Sequence, residues 1–123
     1  MASQKIKSFS IAQYAASDLS SKQYYAVKLT STDDTVDIAG AGQGHGIVIN
    51  VPATGDLADV VVFGGAKVKL GGTVTRGQYG KADSSGKLVV ASTDKDRYLV
   101  QFLESGVSGD IVEALVLPGY LAA

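Results

Sequence analysis

The sequence contains no cysteine and no tryptophan, and its 123 residues include only two prolines, one methionine and one histidine, His45. Without cysteine, neither a disulfide framework nor a thiolate metal site can form, so folding rests on burial and hydrogen bonding. A single histidine excludes a histidine-rich zinc site, and any serine–histidine–aspartate triad would have to use His45. A chain of this length can still bury about two-thirds of its unfolded surface, which is sufficient for one domain.

Excess charge of one sign and long apolar runs are also missing. The 11 basic and 12 acidic side chains give a formal net charge of -1 and are scattered singly. No basic stripe is available to neutralise a series of phosphates, so we expect no direct nucleic-acid partner. No run approaches the roughly 20 apolar residues of a membrane helix, and no export signal is recognisable. We therefore expect a soluble chain without a membrane partner.

The residues that are abundant indicate β-structure. Valine, isoleucine, threonine and tyrosine are frequent, and 15 glycines punctuate the chain at short intervals. Because no long helical crossover is available for a parallel sheet, an all-β fold follows, a compact antiparallel β-barrel or sandwich of about seven or eight short strands. The predicted strands are residues 24–29, 47–51, 58–63, 66–70, 73–75, 87–91, 97–103 and 111–117.

The central part of the chain gives the most detailed prediction. Residues 58–63 form a nearly continuous apolar run, which suits a strand covered on both faces, and two glycines, Gly64 and Gly65, are expected to end it. Residues 66–70 alternate, which predicts Val68 and its apolar neighbours on a buried face and the lysines in water. The following glycine pair, residues 71–72, predicts a two-residue hairpin that pairs residues 73–75 back onto this strand.

The first 23 residues differ in composition from the single β domain predicted for residues 24–123. Isolated apolar residues stand among serine, alanine and glutamine, which suits either an N-terminal arm or an edge strand followed by one helical turn. These side chains are too few to form a core and need a partner surface. The candidate partner-binding residues are Ile6, Phe9, Ile11 and Tyr14.

The glycine-rich loop at residues 40–46 is a candidate phosphate-binding or catalytic segment. Its glycines fall at every second residue, so the dinucleotide-binding fingerprint is absent, and no P-loop lysine follows. A mobile surface loop is predicted, in which His45 has no packed shell to fix its tautomer. Asp33, Asp34 and Asp37 lack the glycine bend and bidentate glutamate of a calcium loop, so we predict solvated turn carboxylates. No catalytic residue, cofactor or metal site is predicted, and the chain is not expected to be an enzyme.

Glycine and apolar patterns over most of residues 18–119 resemble the small capsid decoration or structural cement proteins of tailed phages. The matching segments are Asp18-Leu19-Ser20-Ser21-Lys22-Gln23-Tyr24, Gly46-Ile47-Val48-Ile49-Asn50 with Pro52 and Gly55, Gly64-Gly65-Ala66-Lys67-Val68, Gly71-Gly72-Thr73-Val74-Thr75-Arg76-Gly77, residues 83–87, Gly109-Asp110-Ile111-Val112 and Leu117-Pro118-Gly119.

This resemblance implies a function as well as a β-rich fold. Such proteins bind the outer surface of the major capsid protein lattice, often as homotrimers, and stabilise the head. The chain is therefore expected to be made in the host cytoplasm and to lie on the exterior of the virion. The alternative is a small β-sandwich module that binds carbohydrate or a host surface, with the tyrosines, Tyr24, Tyr25, Tyr79, Tyr98 and Tyr120, stacking on sugars. Tyrosines at strand ends more often serve as half-buried packing residues, and tryptophan is absent.

Overall fold

The computed structural model describes residues 8–92 and 96–120, which form nine β-strands and no helix. The all-β prediction is therefore confirmed. The strands are β1 (Ser8–Ala15), β2 (Ala26–Leu29), β3 (Thr35–Ile38), β4 (Gly46–Val48), β5 (Leu57–Lys69), β6 (Tyr79–Ala82), β7 (Leu88–Val90), β8 (Arg97–Phe102) and β9 (Ile111–Tyr120). They join into one hydrogen-bonded sheet in the order β1-β3-β2-β4-β5-β9-β8-β6-β7.

The first five strands close on themselves. Strand β1 pairs with β3 on one side and with β5 on the other, so β1, β3, β2, β4 and β5 form a small barrel. The contact between β1 and β3 is parallel and covers only two residues, whereas the other pairings between strands are antiparallel. The second half of β5 leaves the barrel and pairs with β9, which continues the sheet through β8, β6 and β7.

The second half of the sheet curls round its own core. An isolated parallel bridge between Leu70 and Leu88 brings the end of the sheet back beside the end of β5. Gly71 donates a 2.9 Å backbone hydrogen bond to the carbonyl of Leu88 at the same place. Strand β5 is therefore the shared element that holds the two halves together.

Alternation along the shared strands divides the buried side chains into two clusters. Val60 faces the inside of the barrel and Val61 faces the second cluster, because successive residues of a strand point to opposite faces. Val48 and Ile47 divide in the same way on β4. The barrel cluster consists of Ala15, Leu19, Val27, Val36, Val48, Ala58 and Val60, and the larger cluster includes Val61, Val68, Leu70, Leu88, Leu99, Val100, Phe102, Val112 and Val116.

Two predictions about the centre of the chain are wrong. Gly64 and Gly65 do not end a strand, because β5 runs through both, with Gly64 at a φ of 101° close to a shift in the β1–β5 register. Gly71 and Gly72 have no positive φ, so they do not form the predicted hairpin turn. Residues 73–75 do not pair back on β5; Val74 instead forms a bridge with Gly106.

The facing predicted for the side chains of residues 66–70 agrees with the structure except at Lys69. Val68 and Leu70 are fully buried and Lys67 is exposed, as the alternation predicts, whereas Lys69 is half-buried. Residues 8–15 form a strand of the barrel, which matches the edge-strand alternative for that stretch, and no helical turn follows. The strands β3 and β6 were not predicted, although the threonine, valine, aspartate and isoleucine of β3 alternate in polarity.

Candidate partner-binding surface

An exposed aromatic pair lies where β1 meets β5. Phe9 and Phe63 are directly opposite in the antiparallel register and are 67% and 64% exposed. Ile11 lies two residues along the same face of β1 from Phe9, opposite Val60 of the barrel interior, and is 36% exposed. We call Phe9, Ile11 and Phe63 the aromatic patch. Exposed apolar side chains that cluster in this way mark interaction surfaces more often than single ones do.

The four candidate residues from the sequence do not share one face. Tyr14 has the opposite parity to Phe9 and Ile11, so it points to the other side of β1, where it pairs with Leu57, and both side chains are exposed. Ile6 lies outside the described residues. The structure therefore brings Phe9 and Ile11 together and separates Tyr14 from them.

Two exposed residues of β5 were not predicted from the sequence: Phe63 in the aromatic patch, and Leu57 beside Tyr14 on the other side of β1. Residues 58–63 were predicted to be covered on both faces, and this is correct for Ala58, Val60 and Val61 but wrong for Phe63. The register shift beside Phe63 turns its ring outward, and the following glycines are the signal in the sequence that β5 bends there.

The backbone of β1 also has an open edge. Its pairing with β3 covers only Tyr14 and Ala15, and within the described residues no strand pairs with that edge over residues 8–13. Unpaired strand edges next to apolar side chains can accept a strand from another chain. The aromatic patch and this open edge therefore lie on the same strand.

The glycine-rich loop is packed, and its prediction as a mobile surface loop is corrected accordingly. Gly44 and Gly46 are buried, and Arg97 donates hydrogen bonds to the carbonyls of Gly42 and Gly44, at 3.4 and 2.6 Å. A side chain at Gly46 would meet the backbone of Val61, with its Cβ 2.5 Å from the carbonyl oxygen. The loop therefore needs glycine for close packing against β5.

His45 in this loop does have a shell, contrary to the sequence prediction. Its Nε2 lies 3.0 Å from Oε1 of Gln13 on β1, and its buried Nδ1 has no hydrogen-bond partner among the described residues. Burial lowers the pKa of His45 below its usual 6.5, the nearby backbone of Val27 raises it, and the positive charge of Arg97 lowers it further. The neutral imidazole is therefore favoured, and no carboxylate of the described residues is hydrogen-bonded to the ring as a triad would require.

The acidic residues near β3 serve the local structure. Asp37 accepts a 2.6 Å hydrogen bond from the hydroxyl of Ser17, and Asp34 has a φ of 60° in the turn before β3. No group of three or more metal-ligating side chains is found in residues 8–92 and 96–120. Over the same residues, no helix is long and apolar enough to cross a bilayer.

A shallow hollow of about 230 Å³ lies at the opposite end of β5 from the aromatic patch. It is formed by the turn before β2 together with the end of β5 and the start of β9. The lining residues are Ser20, Ser21, Gln23, Tyr24, Tyr25, Val51, Lys69 and Ile111. A second aromatic feature is the pair of Tyr79 and Tyr98, whose half-buried rings have centroids 4.4 Å apart.

The fold has a counterpart among solved structures. The chain superposes on the crystal structure of the head fiber gp8.5 N base of bacteriophage phi29 with a TM-score of 0.70, at 16% sequence identity, covering 90% of this chain and 95% of that one. No protein-family model and no curated protein matches the sequence. The chain therefore shares the fold of that head fiber base, which agrees with the β-rich fold that the resemblance in the sequence implies.

Proposed function

We propose that this chain is a structural component of a tailed-phage head that binds the outer surface of the major capsid protein lattice and stabilises the shell. The observation that carries the proposal is the fold, because nearly the whole chain superposes on nearly the whole of a phage head fiber base. A shared fold alone does not define function, so the proposal also needs a surface through which the chain could bind.

The aromatic patch supplies such a surface. Phe9 and Phe63 are more exposed than the other large apolar side chains of the described residues. Burying a side chain of this type contributes roughly 1.5–3 kcal/mol before ordering costs. A homotrimer would present three such patches to the lattice, so even a modest affinity per patch would give high occupancy.

The open edge of β1 would fix the orientation of the bound capsid protein. A strand of the capsid protein that paired with residues 8–13 would satisfy the free backbone groups and would lie beside Phe9 and Ile11. Main-chain hydrogen bonds would then contribute affinity, and the aromatic side chains would contribute specificity.

We further propose that the protein acts as a homotrimer on the exterior of the virion, without enzymatic activity, cofactor, nucleic acid or membrane. The resemblance to cement proteins supports the trimer. The environment of His45 supports a structural role, because its Nε2 contacts the amide of Gln13 and its Nδ1 lacks the carboxylate that would orient a general base. Sedimentation velocity of the free protein and the stoichiometry of the protein on the capsid test the trimer. A monomer in both states would contradict it.

Binding of the purified protein to expanded capsids that lack it tests the proposed function. We expect Phe9→Ser and Phe63→Ser each to weaken binding about tenfold or more, because each loses most of one buried aromatic side chain. Val107→Ser is the matched control, since Val107 is also exposed but lies in the loop between β8 and β9. All three variants should melt like the wild type.

Two outcomes would contradict the proposal. Absence of binding by the wild-type protein to expanded capsids would remove the function. Undiminished binding by both phenylalanine variants would leave a capsid protein whose contact surface is elsewhere.

A further inference from the structure

The hollow beside Tyr24 combines an aromatic ring with several polar side chains. The half-buried Tyr24 provides aromatic surface, the buried Tyr25 forms part of the wall, and Ser20, Ser21 and Gln23 provide hydroxyl and amide groups. Aromatic rings pack against the C–H faces of small ring compounds, while hydroxyl and amide groups exchange hydrogen bonds with their polar edges. This mixture suits a ligand that is apolar on one face and rich in hydroxyl groups at its rim.

Basic side chains outnumber acidic ones at the hollow, because two lysines lie there and one carboxylate, that of Asp18, accepts a hydrogen bond from the N–H of Ser20. Lys69 lines it, and the ammonium of Lys22 lies 5.1 Å from the ring centroid of Tyr25. No aspartate or glutamate is among the lining residues. A ligand with a negatively charged group would therefore be favoured over a neutral one.

The backbone of the hollow is held in a rarely populated conformation. Tyr24 has a φ of 72°, which is uncommon for a bulky residue, and such conformations cluster at ligand sites. Its N–H donates to the carbonyl of Val48 at 2.7 Å, and its carbonyl accepts from the N–H of Lys69 at 3.0 Å. These bonds join the turn to β4 and β5, so the site is already formed before a ligand arrives.

The side chain of Gln23 is fixed as well. Its Nε2 donates a 2.9 Å hydrogen bond to the carbonyl of Ile49. A site whose groups are ordered in advance loses less entropy on binding. At about 230 Å³ the hollow is smaller than the roughly 300–1,000 Å³ typical of sites for drug-sized ligands, so it suits a single small ring.

We propose that this hollow binds one sugar unit that carries a carboxylate or phosphate group. The aromatic side chain of Tyr24 contacts the face of the sugar ring, Lys69 pairs with the anionic group, and Ser20, Ser21 and Gln23 contact the hydroxyl groups. Binding of a single sugar does not depend on the proposed capsid binding, because this site is separate from the aromatic patch. Firm attachment to an acidic polysaccharide through many weak contacts rests on the proposed function, which would array copies on one particle.

Titration of the isotope-labelled full chain, followed by amide chemical shifts, tests the proposal. The test compounds are glucuronate, glucose 6-phosphate, glucose and acetate. We expect shifts at residues 20–25, 51, 69 and 111 with at least one of the two charged sugars, and a dissociation constant roughly tenfold weaker or more for glucose. Acetate should produce no comparable shifts, because it offers no ring to the tyrosines.

Two variants and one control make the test specific. Lys69→Met should remove the preference for the charged sugar, whereas Lys67→Met, two residues earlier on the same strand and opposite Glu113, should retain it. Tyr24→Gly keeps a residue that tolerates positive φ while removing the ring, so the fold should persist and binding should be lost.

Several results would overturn this proposal. They are an absence of shifts with both charged sugars, shifts located away from the hollow, and an equal response to acetate, which would indicate attraction of any anion. Loss of capsid binding by Lys69→Met without any response to sugars would show that the hollow contacts the capsid protein instead.

Discussion

Replacement of Leu19 by alanine tests whether the N-terminal segment belongs to the barrel. Leu19 lies after β1 and is 1% exposed, within the cluster inside the barrel. Its backbone N–H also donates a 2.9 Å hydrogen bond to the carbonyl of Pro52, which fixes the residue over the barrel. Deleting a fully buried leucine side chain loses its transfer free energy and leaves a cavity, at a cost of about 2–5 kcal/mol.

The expected cost is large for a protein of this size. Domains unfold with about 5–15 kcal/mol, so Leu19→Ala should remove a substantial fraction of the stability and lower the melting temperature by roughly 10–20 °C. Leu29→Ala is the control with the same chemistry, because Leu29 is 60% exposed and should change the stability by no more than about 0.5 kcal/mol. Urea denaturation and thermal melting of both variants measure the difference.

Equal melting of the two variants would refute this reasoning. It would mean that Leu19 is not packed inside the barrel and that the stretch following β1 is an arm that leaves the domain. A large loss for Leu19→Ala alone would instead place this part of the predicted N-terminal segment within the folded domain.

Three further predictions concern the core and the loop. Gly46→Ala should cost about 1–3 kcal/mol, because the added Cβ overlaps backbone atoms, whereas Gly72→Ala, with 3.6 Å of space and no positive φ, should melt like the wild type. Val68→Asp should cost several kcal/mol by burying an unpaired carboxylate, and Lys67→Asp should not; equal melting would mean that the facing of β5 is wrong. Because the folded-state pKa of His45 is lowered, the unfolded chain binds the proton more readily, so stability should fall as pH drops below about 6.5. This pH dependence should flatten in His45→Gln, and an identical slope in that variant would assign it to other groups.

Local patterns in the sequence were sufficient to predict most of the strands. Alternation placed Val68 and Leu70 in the core, and the turn at residues 83–86 is present, with Gly86 at a φ of 87° between β6 and β7. These features depend on a few adjacent residues, so a local pattern determines them.

The errors occurred where distant contacts decide the structure. A glycine pair has the same local signature whether the chain turns or bends within a strand, and pairing with β1 and β9 keeps β5 continuous through Gly64 and Gly65. At Gly71 the partner is Leu88, 17 positions further along the chain, so the predicted hairpin does not form.

The candidate sites were predictable to different degrees. Phe9 and Ile11 were proposed because they stand alone in a polar segment, and they stay a prediction, whereas their neighbour Phe63 comes from β5 and lies beside a register shift. The hollow brings together residues 20, 21, 23–25, 51, 69 and 111, and no local motif joins them. The pairing of β5 with β9 and the hydrogen bond between Lys69 and Tyr24 bring these residues together, and neither is visible in the sequence.

Cryo-electron microscopy of expanded capsids saturated with the protein tests the central claim most directly. We predict ordered density for the β domain on the outer surface of the shell, with Phe9 and Phe63 facing the capsid protein. Density inside the shell, density confined to another part of the virion, or a bound domain with both phenylalanine rings facing solvent would contradict it.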